Sequence, residues 1–166
     1  LIYMLKPGTG ERIERFVEAG GAFVTTFFSA MVDETDGRFV LDRSFPLRKV
    51  LGLRVEEWDG LKEYMGNAVE MAAPFGKLTG EYPCGYWAEV VRPDSATSLA
   101  TFKKDFYAGL PALTENSYGK GKAYYMATLP GEACIREFLS EIAHRNGVKP
   151  VLEAPKGVEV TVRENK

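Results

Sequence analysis

Cysteine and histidine are nearly missing from this chain. Its two cysteines, Cys84 and Cys134, stand in dissimilar surroundings without CxxC spacing, and its one histidine is His144. That pattern excludes a disulfide framework and a zinc site, and leaves reduced thiols in a cytoplasmic protein as the default. A surplus of charge is missing too: 21 Lys and Arg face 23 Asp and Glu, a net −2. So mixed a balance attracts neither phosphate backbones nor anionic lipid in bulk, and neither nucleic acid nor membrane is an expected partner. Nor is there a long apolar run. The longest stretch without a charge, residues 19–32, falls short of the ~20 residues that span a bilayer. The opening LIYMLKPG has no initiator Met and no basic leader, so it reads as neither a signal peptide nor a natural start but as a cut inside a strand. What is present is ordinary. A length of 166 residues, 45% hydrophobic and 27% charged, predicts one globular domain with a modest core.

Leu1 to Leu5 is apolar and ends at Pro7-Gly8, which predicts a strand buried on both faces, as in a parallel sheet. Thr9 follows as a helix cap, Ile13, Phe16 and Val17 recur at helical spacing, and Gly20-Gly21 supplies the stop. Ala22 to Phe28 is a second strand, completing a right-handed βαβ unit. Ser44 and Pro46 open a short helix closed by Gly52, and Leu53 and Val55 begin an edge-like strand. From Trp58 to Pro83 no period persists, and the expectation is irregular chain with one helical turn near Ala68. Strands are predicted at Tyr86 to Val91 and Ser98 to Phe102, and a hairpin of Pro111 to Asn116 with Lys122 to Thr128 turns on Gly119-Lys120-Gly121. Gly131 to Arg145 is the clearest helix, and the alternating Val158, Val160 and Val162 predict a last strand.

The acidic stretch from Asp33 to Arg43 follows a strand's carboxyl end, where open α/β sheets put functional loops. Asp33, Glu34 and Asp36 are its candidates. Sugar hydrolysis needs two carboxyl groups facing each other across a bond, which close neighbours in one loop seldom provide, so a solvated or interface loop is the commoner meaning. DETDG also fails as a calcium loop, its Gly falling one place early. A nucleophile would need Cys84 or Ser29 beside His144, but neither has the glycine-flanked elbow, and a His in a helix's last turn complements the helix terminus. KPGTGE matches no phosphate loop, and Trp58 and Trp87 are core or interface aromatics before they are sugar platforms. Residue by residue, the chain is a soluble α/β domain without a catalytic, cofactor or metal constellation.

Four segments in register, RFVEAGGAFVTTFFSAMVDETD, FPLRKVLGLRVEEWDGL, YAGLPALTENSYGKGKAYYMAT and GVEVTVREN, resemble the middle domain of glycoside hydrolase family 42 β-galactosidases. The resemblance implies a flavodoxin-like, class I glutamine amidotransferase-like three-layer α/β sandwich, incomplete at its N-terminal side. It implies a trimerisation domain over residues 1–157 and the start of a C-terminal β domain over 158–166. It further implies a non-catalytic assembly role, with homotrimers as the partner state, no cofactor, and galactoside hydrolysis by a retaining mechanism on a TIM barrel that this sequence lacks. The acidic loop resembles the family's S-G-I-V-D-E-N-D, with Ala30 in place of Gly and Thr35 in place of Asn. The alternatives are an amidotransferase-like hydrolase using Cys84 or Ser29 with His144, and a small-molecule sensor at Asp33 to Asp36.

Overall fold

Glycine and proline punctuation sets the first elements. A computed structural model describes residues 2–39, 45–62, 65–152, 154–155 and 157–163. Helix α1 (Thr9–Glu18) starts after Gly8, whose φ of 76° turns the chain into it, and buries Val17. Its end is closed by Ala19, Gly20 and Gly21, whose amides donate to Arg15, Val17 and Phe16 carbonyls. Strand β1 (Ala22–Thr26) follows. Helix α2 (Arg48–Leu51) is a single turn, stopped by left-handed Gly52. Strands β2 (Leu53–Gly60), β3 (Asn67–Met71), β4 (Glu81–Pro93), β5 (Thr97–Phe102), β6 (Pro111–Tyr118), β7 (Gly121–Met126) and β8 (Thr128–Pro130) precede helix α3 (Glu132–Arg145).

The strands form one sheet in the order β1-β7-β6-β5-β3-β4-β2, with β8 paired to β4. Only β1 and β7 pair in parallel; the other strand pairs are antiparallel. Ala127, the residue between β7 and β8, donates to the Ala112 carbonyl of β6 and accepts from the Glu89 amide of β4, both at 2.8 Å. Backbone hydrogen bonding therefore runs from β6 through β5, β3 and β4 back to the β7–β8 segment, and the sheet closes on itself. In β6 and β7 the faces alternate, Asn116 opposite Ala123 and Glu115 opposite Tyr124. Asn116 donates to the Val50 carbonyl of α2 at 2.9 Å, whereas Tyr124 meets the Phe138 ring of α3 at 5.8 Å, so α2 and α3 cover opposite faces.

This overturns the expected flavodoxin-like, class I glutamine amidotransferase-like three-layer α/β sandwich. A doubly wound sheet needs helical crossovers between parallel strands, and after β2 the connections are too short for them. β4 reaches β5 through residues 94–96, and β6 reaches β7 through Gly119-Lys120, with Gly119 at φ 58° as the first central position of a type II′ turn requires. The hairpin expectation at Gly119 to Gly121 therefore holds. Three local expectations do not. The described part of the Leu1 to Leu5 run, residues 2–5, forms no strand but a parallel bridge of Met4 to Val32 with backbone hydrogen bonds to residues 30–32, and Tyr3 and Met4 are exposed while Leu5 is buried. Ala68 sits in strand β3, not in a helical turn. Residues 158–163 carry no strand. Alternation predicts a half-buried strand only where a neighbouring strand accepts the pairing, and none is present beside the described part of that tail. Leu1, Ser44 and the end of the acidic stretch lie outside the described residues.

Candidate functional site

The chain from β1 into the acidic loop is pinned from beneath by a buried carboxylate. Phe28 (φ 58°) and Ala30 (φ 56°) both take left-handed backbone in the turn after β1, a conformation that costs non-glycine residues roughly 1–2 kcal/mol. Glu89, fully buried in β4, pays for it: one carboxylate oxygen accepts the Phe28 amide at 3.0 Å and the other the Tyr125 hydroxyl at 2.5 Å. Burial holds the Glu89 carboxyl above its ordinary value against those two donors, and burial, followed by the neighbouring Glu89, raises the Tyr125 hydroxyl. Sequence reading missed Glu89. Its signal is a lone acid inside the apolar AEVV run, where a charge needs dedicated donors to be buried.

In the acidic loop itself, one Asp33 oxygen accepts from the Thr35 amide at 2.8 Å, the Thr35 hydroxyl at 2.7 Å and the Gly37 amide at 2.8 Å. Those donors hold its carboxyl below the usual range. Asp33 is thus occupied in shaping its own loop, while Glu34 and Asp36 are exposed and Asp36 takes φ 62°. Ala30 keeps left-handed backbone where the resembling family has glycine, and Thr35 supplies two donors where it has Asn. The neighbouring cleft, lined by Leu5, Gly10, Glu34, Phe39 and Pro46 among others, holds about 200 Å³. That is below the ~300–1,000 Å³ of ordinary ligand pockets.

The candidate nucleophiles and the histidine are not brought together. Ser29 is buried, bonded to Thr25 Oγ1 at 2.5 Å and donating to the Thr26 carbonyl at 2.7 Å. Cys84 is buried in β4 and its thiol is raised by burial; Cys134, in the first turn of α3, is pushed up to about 11 by burial and by the charge of Cys84. Reactive thiols require the opposite shift. His144 is exposed at the end of α3 and shares a groove with Lys77, Glu137, Ser140 and Glu141. The tryptophans are engaged internally: Arg38 lies 4.3 Å over the Trp58 ring and Phe28 packs on Trp87 with centroids 4.4 Å apart. Among the described residues no group of three acids, cysteines or histidines is placed to hold a metal, and no helix is long and apolar enough to cross a membrane.

One surface feature stands apart. The β4–β8 register shifts between Gly85 and Ala88, and the bulge holds Tyr86 at φ 64° with its side chain 79% exposed. Pro83, Leu129 and Pro130 line a groove of about 320 Å³ at its side.

The sequence profile of the family described as "Beta-galactosidase trimerisation domain" matches residues 1–149. The β-galactosidase BgaP of Planococcus sp. (strain L4) is 41% identical over 165 residues, covering 98% of this chain and 24% of the relative. BgaB of Geobacillus sp. (strain Y412MC61) is 39% identical over 164 residues, covering 99% of this chain and again 24% of the relative. Among solved structures, the β-galactosidase from Bacillus circulans sp. alkalophilus superposes with a TM-score of 0.91 at 40% identity, over 95% of this chain and 23% of that one. The chain thus spans about a quarter of the length of the curated relatives it matches.

Proposed function

The chain belongs to the β-galactosidase trimerisation-domain family, and from that membership we propose that it is the non-catalytic assembly module of a larger β-galactosidase, holding copies of that enzyme in a homotrimer. The observation that carries the reading is the match of residues 1–149 to an assembly domain, set in relatives that are each named β-galactosidase and of which this chain is a fraction. Hydrolysis of terminal β-galactosides is then the work of another part of the parent polypeptide, in the cytoplasm. The apolar tail residues Val158 and Val162, exposed here, belong to the start of a following β domain from residue 158. Glu34 and Asp36 at the tip of the acidic loop serve at the rim of an interface, where exposed carboxylates tune partner choice more than affinity.

Light scattering on the purified chain, paired with a nitrophenyl galactoside assay, tests this. The expected result is three times the chain mass and no turnover. Turnover that persists through successive purification steps removes the non-catalytic reading, and a monomeric mass at every concentration removes the self-assembly reading.

A further inference from the structure

We propose that Asn146-Gly147, at the end of α3, is a site of spontaneous covalent modification, where the Asn146 side-chain amide is converted through a cyclic imide to aspartate and isoaspartate. Of the chain's four asparagines, Asn67, Asn116, Asn146 and Asn165, Asn146 alone precedes a glycine. The reaction needs the following backbone nitrogen to reach the side-chain carbonyl carbon. A Cβ on the next residue crowds that approach, and glycine both removes it and frees the backbone to swing. Asn146 and Gly147 are exposed, and a side chain added at Gly147 would meet nothing within 4 Å, so the approach is not walled in. Asn67 and Asn116 are only 5% and 2% exposed, lie in β3 and β6, and precede Ala68 and Ser117.

The folded end of α3 slows the reaction without preventing it. Asn146 has φ −96° and ψ 13°, and its Nδ2 donates to the Ile142 carbonyl at 2.7 Å. The Gly147 and Val148 amides donate to the His144 and Ala143 carbonyls, both at 3.0 Å, with Gly147 left-handed at φ 70°, the Schellman way of closing a helix. Ring closure requires this turn to open, and terminal turns open at small cost. The Gly147 nitrogen then bonds to Asn146 Cγ, the Cγ–Nδ2 bond breaks, and the proton from the Gly147 nitrogen leaves with the amine as ammonia. Water cleaves one of the two imide C–N bonds, the side-chain one giving aspartate and the main-chain one isoaspartate. Either product loses the donor to Ile142 and sets a carboxylate against the helix's unsatisfied carbonyls, which disfavour negative charge. Isoaspartate also lengthens the main chain by a methylene, so the two capping bonds no longer close. Modification thus releases the last turn of α3.

In the test, the unaltered chain is held for weeks in warm, mildly alkaline buffer and followed by peptide mapping with mass spectrometry and by isoaspartyl methyltransferase labelling. Hydrogen exchange of the Gly147 and Val148 amides is read before and after. The expected result is conversion at Asn146 roughly tenfold or more above that at Asn67 or Asn116, with the labelling lost in Asn146→Gln, and roughly tenfold faster exchange of both amides in the converted chain. Conversion at Asn146 no faster than at the two strand asparagines overturns the site. Conversion with unchanged exchange overturns the release of the last turn.

Discussion

A hydrogen atom is the largest side chain that position 121 accommodates. Gly121 starts β7 against the end of α1, and a Cβ there would run into the backbone carbonyls of Val17 and Gly21; at Gly119 it would lie 2.7 Å from the Glu18 backbone. Backbone atoms cannot rotate away as a side chain does, so Gly121→Ala is expected to destabilise the chain by about 3 kcal/mol in urea unfolding. Glu89 makes a subtler prediction. Folding disfavours its charged form, so its contribution is complete below its ordinary value of 4.5 and drains away as pH rises through the elevated folded value. Glu89→Gln keeps the shape, one acceptor and one donor without the charge. The stability difference, variant minus wild type, is expected to grow in the variant's favour as pH rises above 4.5. Parallel profiles would place the Glu89 proton elsewhere. Asp33 runs the other way: its lowered carboxyl stabilises the loop above pH 3.8, and that share is lost on acidification.

Among the elements, α3 shows how a helix is fixed to a sheet. Phe138 sits between Phe75 and Tyr124, with centroids 5.3 and 5.8 Å away. Arg145 reaches Glu141 at 2.7 Å, lies 4.0 Å over the Phe75 ring and comes within 4.0 Å of Glu115, which also takes Lys122. The buried ring outweighs the half-exposed ion pairs. Phe138→Ala is expected to cost about 4 kcal/mol and Arg145→Ala about 1 kcal/mol by chemical denaturation. This helix was legible in the sequence, as were α1 and the β6–β7 hairpin, because each carries both a period and its own stop: Asn146-Gly147, Gly20-Gly21 and Gly119. Strand β3 was not. Its residues are buried on both faces except Glu70, which erases alternation, and the buried Asn67 is held by the Lys104 carbonyl at 3.1 Å. The candidate site divides similarly. The acidic loop declared itself by composition, whereas Glu89 and the Tyr86 bulge depend on strands distant in sequence that no local pattern records. β2, correctly read as edge-like, carries Arg54 and Glu56, which pair with Asp94 after β4 and Arg92 of β4 and so charge the edge against further pairing.

For the molecule as a whole, closure of the sheet matters more than any one contact. Hydrogen bonds running round through β6, β5, β3, β4 and the β7–β8 segment tie distant parts of the chain into one cooperative unit, so amides of β4, β6 and β7 are expected to exchange only through global opening. The tail stands outside this unit. Among the described residues, the last backbone bond back to the helix after α3 is from the Val148 amide to the Ala143 carbonyl, and Val151, Leu152, Val158 and Val162 are exposed. A chain ended after Lys149 loses none of the described core residues, and its unfolding free energy is expected to stay within about 0.5 kcal/mol of the full chain. Removing those apolar side chains also removes a surface for indiscriminate association. Shortening should thus reduce concentration-dependent aggregation in light scattering while leaving the specific assembly intact. A fall in stability on truncation would instead mean that the tail folds back onto the closed sheet, and a loss of the assembly would assign the tail to the interface.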